Sequence, residues 1–366
     1  MQTQNPLVTL EHLGQSIWLD LLGRTLIRSG QLKRLIEDDG LSGVTSNPTI
    51  FQKDIGESGA YDEDIHQLSE AGKSPAAIYE ALTIGDIQEA ADVLEIVHAR
   101  TGGADGYVSL EVSPRLARDT GKTIEEAKRL WYAVNRPNVM IKIPGTIEGL
   151  PAIKACIAEG ININITLLFG LPRYREVVDA YLSGLEDRVR RGGDLSRISS
   201  VASFFLSRID VLIDPKLPEG SELHGQVAIA SAKLAYEIYE ELFDSGRFRE
   251  LERKGARRQR LLWASTSTKN KEDSDVKYVE ALIGPETVNT MPMETLDAYR
   301  DHGNPSRRLD THVGAAHSVM QELAAAGIDI ADATQELEAE GIGKFVKSFN
   351  GLLQAVERKA HAPVGA

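Results

Sequence analysis

The chain has one cysteine, Cys156, so no disulfide closes within it, which suits a reducing compartment. Aromatic residues make up only 6% of its 366 positions. No run of 18 apolar residues occurs, and residues 1–15 lack a basic start followed by an apolar stretch. Neither a membrane span nor a secretory leader is therefore expected. Positive charge is the scarcer sign: 41 Lys and Arg stand against 54 Asp and Glu, a net charge of −13. That balance makes a poor general binder of nucleic acid or anionic membrane. An anionic substrate must be met by a few local cations.

Several chemistry-bearing motifs are also missing. There is no Cys-x-x-Cys, His-Glu-x-x-His, calcium loop or Walker loop, no Gly-x-Gly-x-x-Gly after a strand, and no Gly-x-Ser-x-Gly elbow. The eight histidines are scattered outside the predicted strands. No metal- or cofactor-binding motif of these kinds marks a site.

The hydrophobic fraction of 42% and charged fraction of 26% are ordinary for a globular chain, and the length buries a large core without staples. A single cytoplasmic domain over residues 1–366 is expected. Eight short runs rich in Val, Ile and Leu read as buried parallel strands: Ser16–Asp20, Gly43–Ser46, Tyr107–Val112, Val139–Ile143, Ile161–Thr166, Ile198–Phe204, Leu261–Ala264 and Thr287–Thr290. Amphipathic helices alternate with them, notably Arg173–Arg191 and Gln226–Asp244. Pro48, Pro114 and Pro172 mark helix starts, with Asn47 and Ser113 as N-caps. Gly192-Gly193 and Gly303 mark stops. The long stretch between Ser46 and Tyr107 holds extra helices, and residues 312–366 form a C-terminal helical extension. The pattern predicts a (β/α)8 barrel, with an open doubly wound sheet as the alternative.

Polar residues interrupt the apolar strands where barrel chemistry sits, at the C-terminal strand ends. Asp20, Glu111, Lys142, Asn164 with Thr166, and Ser203 fall on five strands. A buried ammonium at Lys142 must be paired or give up its proton. A neutral amine there attacks a carbonyl and forms a Schiff base. The plain alternative is an ion pair with Glu111 or Asp20. Asp20 and Glu111 form a candidate acid/base pair; alternatively, Asp20 caps a helix starting near Leu21. Asn47 reads first as a helix cap, and Asn164 and Thr166 as substrate contacts or a polar interior layer. Arg208 and the hydroxyl-rich loop Ser265–Asn270 with Lys269 suit a phosphate, or else are surface charges. Cys156 reads as core, and Asp62-Glu63-Asp64 as a solvated face.

Taken together, these segments resemble transaldolases of the longer bacterial type, over nearly the whole chain. The matching motifs are Gly43–Phe51, Val139–Thr146, Asn162–Phe169 and Ser203–Asp210. The resemblance implies a class I aldolase barrel without metal or organic cofactor. It makes Lys142 the Schiff-base lysine, Glu111 an acid/base acting through a water held by Thr166, and Asp20 the acid/base for carbon–carbon cleavage. Asn47, Asn164 and Ser203 would contact the donor. Arg208 and Lys269 would hold the phosphate, with Ser265 or Ser267 nearby. Many family members carry arginine and a shorter loop where Lys269 aligns; lysine replaces a bidentate fork with a point charge. The related fructose 6-phosphate aldolases typically have glutamine at the position of Glu111 and tyrosine at that of Phe205, so both residues here favour transfer over simple cleavage.

The resulting expectation is transfer of a dihydroxyacetone unit between sugar phosphates in the pentose phosphate pathway. It is expected of a monomer or homodimer with no nucleic-acid or membrane partner. The rivals are an aldolase releasing free dihydroxyacetone and a non-catalytic barrel.

Overall fold

The computed structural model describes residues 5–361. Eight parallel strands close in sequence order: β1 (Gln15–Leu19), β2 (Gly43–Val44), β3 (Tyr107–Glu111), β4 (Val139–Pro144), β5 (Ile163–Leu168), β6 (Ser200–Phe205), β7 (Arg260–Ala264) and β8 (Thr287–Met291). Pairing of β8 with β1, Val288 opposite Ser16 and Thr290 opposite Trp18, closes the barrel and excludes the open sheet. The expected fold class stands.

Side chains alternate along each strand. On β4, Val139, Ile141 and Ile143 face the helices and are fully buried, while Met140 and Lys142 point into the barrel. Trp18 fills the lower interior, and its indole lies where a Cβ on Gly43 would be, so the paired strand position takes glycine. The Trp18 Nε1 donates to Asp105 at 2.7 Å.

Strand boundaries moved where local chemistry competes with the ladder. β2 stops after Val44, and the chain then turns into the helix Pro48–Glu57, with Asn47 extended ahead of the proline. β5 starts two residues later than expected. The Asn162 amide is spent tying that entry together, donating to Pro137 O and Val139 O and accepting from Ser199 N. The β5–β6 register shifts between Ile165 and Leu168, where Leu167 has a φ of +55°. A left-handed leucine costs about 1–2 kcal/mol, so the surrounding packing must hold it there.

The long helices run Leu171–Arg190 and Val227–Phe243, within two residues of expectation. The 48–100 stretch does hold additional helices, at Pro48–Glu57, Asp62–Glu70 and Pro75–Arg100. Asn47 caps the first of these with its side chain. Ser113 does not cap: its N–H donates to Glu126 Oε1 at 2.8 Å, and only one short turn follows. Nor does Asp20 cap a helix; the next one starts at Arg24 behind Gly23. Asp62-Glu63-Asp64 is not simply solvated, since Asp64 pairs with buried Arg24 at 2.6 Å and Asp62 with Lys359 at 2.7 Å. Cys156 is fully buried, as expected.

Two helices follow the barrel, Val313–Ala325 and the C-terminal helix Ile330–His361. The expected extension also included residues 362–366, and the expected domain residues 1–4; these lie outside the described residues. The C-terminal helix lies across the upper end of the barrel. It is fastened by Thr49 Oγ1 to Ser348 Oγ (3.0 Å), by Arg115 to Asn350, and by Lys359 to Ser58 O (2.7 Å). Among the described residues no helix is long and apolar enough to cross a membrane.

Candidate active site

A cavity of about 640 Å³ opens at the C-terminal ends of the strands, the face where parallel barrels carry chemistry. Its lining includes Asp20, Asn47, Lys142, Ser203, Phe205, Arg208, Ser265 and Lys269. Eight of the eleven residues singled out in the sequence therefore share one wall. Glu111 and Thr166 line a smaller adjoining cavity, together with Lys142 and Phe345. Its volume of about 10 Å³ is roughly the room one water needs.

Lys142 is 5% exposed. Its Nζ donates to Ser46 O at 2.9 Å and lies 3.0 Å from Glu111 Oε1, off the hydrogen-bonding direction. The register explains this meeting, because Glu111 pairs with Lys142 across β3–β4 and both side chains point inward. Burial pushes the Glu111 carboxyl up to about 7, against the pull of Lys142 and with a push from Asp20. At neutral pH such a carboxyl both accepts and donates a proton, which is what acid/base work requires. The Thr166 hydroxyl is buried without a partner, as is Glu111 Oε1. Two unsatisfied polar atoms thus line the water-sized cavity beside the amine.

Asp20 is oriented by a hydroxyl relay. Thr45 Oγ1 donates to Asp20 Oδ1 at 2.8 Å and stands 2.8 Å from Thr290 Oγ1. Since Thr45 spends its one proton on Asp20, Thr290 donates to Thr45. Asn47 serves two ends at once. Its Oδ1 accepts from Thr49 N and Ile50 N, which fixes the amide, and its Nδ2 points at Asp20 Oδ1, 3.5 Å away. The helix-cap and active-site readings of Asn47 are thus compatible.

Asn164 is placed differently from its neighbours. It is fully enclosed, donates to Ser109 Oγ at 2.9 Å and accepts from Ser203 Oγ at 2.6 Å. It therefore reaches the main cavity only through Ser203.

The cationic end of the cavity is built from segments that follow β6 and β7. Arg208 is half-buried, and its Nη1 has no hydrogen-bond partner. Burial holds its guanidinium below the ordinary arginine value, partly offset by the charges of Asp20 and Glu340. Its carbon Cζ sits 5.1 Å from the Phe205 ring centre. Ser265 adopts a φ of +56° and its Oγ lies 2.9 Å from Ser207 Oγ. Lys269 Nζ donates to Ser267 Oγ at 2.7 Å. Both loop serines line the cavity, so the choice between them is not exclusive.

Sequence reasoning missed three contributors. Thr45 and Thr290 sit at strand ends already singled out by their neighbours, so polar residues ending β2 and β8 were an available signal. Phe345 comes from the C-terminal helix, and nothing local in the sequence ties it to the barrel mouth.

Comparison with known proteins agrees with this geometry. The family model described as transaldolase/fructose-6-phosphate aldolase matches residues 17–356. A transaldolase of Trichodesmium erythraeum is 48% identical, covering 97% of this chain and 97% of its own. One from Thermobifida fusca is 49% identical over 98% and 99%, and one from Saccharopolyspora erythraea is 49% identical over the same shares. With the strand-borne lysine at the floor of the cavity and a match over nearly its whole length, the chain belongs to the transaldolase/fructose-6-phosphate aldolase family.

Proposed function

We propose that this chain is a transaldolase. It moves a dihydroxyacetone unit from a ketose phosphate, sedoheptulose 7-phosphate or fructose 6-phosphate, to glyceraldehyde 3-phosphate or erythrose 4-phosphate, in the cytoplasmic pentose phosphate pathway. The observation that carries the reading is the amine of Lys142, buried at the cavity floor within 3.0 Å of a carboxyl poised near 7.

In this reading the Lys142 amine adds to the donor C2 carbonyl. Glu111, through a water held by Thr166, protonates the departing hydroxyl, and water leaves as the imine forms. Asp20 takes the proton from the C4 hydroxyl, the C3–C4 bond breaks, and the aldehyde departs. The electron pair enters the protonated imine, whose charge stabilises the developing carbanion. The retained enamine attacks the new aldehyde, Asp20 returns the proton, and hydrolysis frees Lys142. Asn47 and Ser203 contact donor hydroxyls, with Asn164 positioning Ser203. Arg208, Lys269 and the loop serines hold the phosphate by charge-assisted hydrogen bonds.

Borohydride trapping with fructose 6-phosphate in EDTA, followed by peptide mass mapping, tests the reading. A reduced three-carbon adduct on Lys142 is expected; a folded protein with Lys142 unmodified overturns it. Product analysis without an acceptor then separates transfer from cleavage: a transferase accumulates little free dihydroxyacetone.

A further inference from the structure

Among the described residues Arg208 donates no hydrogen bond and has no carboxylate within ion-pair distance. Half-buried guanidinium groups are ordinarily paired. Asp20 and Glu340 act on it only through space, and two aromatic rings flank the group. The guanidinium carbon lies 5.1 Å from the ring centre of Phe205 and 6.0 Å from that of Phe345. Phe205 belongs to β6, close to Arg208 in the chain. Phe345 belongs to the C-terminal helix and is 7% exposed. Gly341 lies four residues earlier, on the same face of that helix. A Cβ there would sit 2.8 Å from Leu167 Cδ2 and 3.6 Å from Arg208 Nη1. The missing side chain lets the helix descend onto Leu167 and Arg208, and the left-handed Leu167 is part of the same contact.

We propose that Phe345 is a positioning residue for phosphate recognition, holding the Arg208 guanidinium together with Phe205 without occupying the N–H groups that face the cavity. The proposal rests on the transaldolase reading given above. A carboxylate would fix an arginine equally well, but it would neutralise the charge and compete with the substrate for the same donors. An aromatic face attracts the cation through its quadrupole and occupies none of the in-plane N–H groups. Nη1 itself is buried against the C-terminal helix, and the N–H groups on the side of the guanidinium that lines the cavity remain available for phosphate. The C-terminal helix thereby takes part in substrate selection, although it carries no residue that touches the reacting carbons in the proposed mechanism.

The test compares KM for fructose 6-phosphate with KM for fructose, in wild type, Phe345→Leu, Phe345→Trp and Arg208→Met. Leucine keeps the apolar burial and removes the ring face; Phe345→Met serves in its place should the leucine variant fail to fold. The KM preference for the phosphorylated donor is expected to fall about two- to fivefold in Phe345→Leu, from loss of one cation–π contact. Phe345→Trp is expected to restore it, and Arg208→Met to lose it further. A leucine variant with wild-type preference overturns the proposal. So does an equal loss of kcat on both donors, which would assign Phe345 to the water-sized cavity instead. If Arg208→Met itself leaves the preference intact, the phosphate reading of Arg208 falls and the role of Phe345 with it. If only the Phe345 variants are silent, the reading of the site stands without it.

Discussion

Arg208→Met should make the protein more stable and less active. The guanidinium is half-buried with an unpartnered Nη1 and no counter-ion among the described residues. An unsatisfied buried donor costs about 1–3 kcal/mol, and desolvation of the charge adds to that. Against this, methionine forfeits two cation–π contacts of about 0.5–1 kcal/mol each, while its length keeps most of the packing against Phe205 and Phe345. The balance is a gain of about 1–2 kcal/mol. At about 2.1 cal/mol/K per residue, a chain of 366 residues shifts its melting temperature by about 1–3 °C. The assay is thermal unfolding with and without inorganic phosphate. Wild type should rise with phosphate, because the anion binds the folded state alone; the variant should start higher and respond little. Its KM for fructose 6-phosphate should rise at least about tenfold, the loss of a charge-assisted pair. A variant that melts lower than wild type yet still gains from phosphate would refute the reasoning, making Arg208 a structural cation.

Lys142→Ala should abolish turnover and borohydride adduct formation while far-ultraviolet circular dichroism stays unchanged; activity above a few per cent would remove Lys142 from its role. Glu111 should give a titration of kcat near pH 7 that Glu111→Gln erases. Its folded value lies above the ordinary 4.5, so its contribution to stability is present at low pH and is lost as pH rises through about 7. Urea midpoints of wild type should therefore fall more steeply from pH 5 to pH 8 than those of Glu111→Gln, and equal slopes would contradict the assignment. Tyr61→Phe probes a buried knot near the cavity wall, where one hydroxyl faces Asp54 at 2.6 Å and Asp86 at 2.8 Å. Burial raises the Asp86 carboxyl, against the pull of Tyr61 and of Arg24, whose Nε donates to Asp86 Oδ1 at 3.2 Å. Loss of the hydroxyl should cost about 1–3 kcal/mol in urea unfolding, and an unchanged urea midpoint would contradict a structural role for the knot.

The barrel and most of the polar residues around its upper cavity are legible in local patterns of the chain. Strands are short and their side chains alternate, so a polar residue such as Lys142 within an apolar run announces both its direction and its expense. Glu111, Asp20 and Ser203 were legible for the same reason, and the Asn47-Pro48 turn because capping is local chemistry. Strand ends were legible only to within two residues, since Asn162 and Pro48 trade ladder bonds for side-chain or turn geometry that apolar patterning does not register. Other features depend on contacts between segments far apart in the chain. The folded molecule shows that Asn164 is enclosed behind Ser203, that Thr45 and Thr290 form a relay to Asp20, and that Asp64 serves a buried arginine. It also brought Phe345 onto Arg208. In the sequence Phe345 is one apolar residue on an amphipathic helix, indistinguishable from core. Its place at the barrel mouth follows from the absence of a side chain at Gly341 and the left-handed turn at Leu167, and neither has any meaning until the helix and the strand meet.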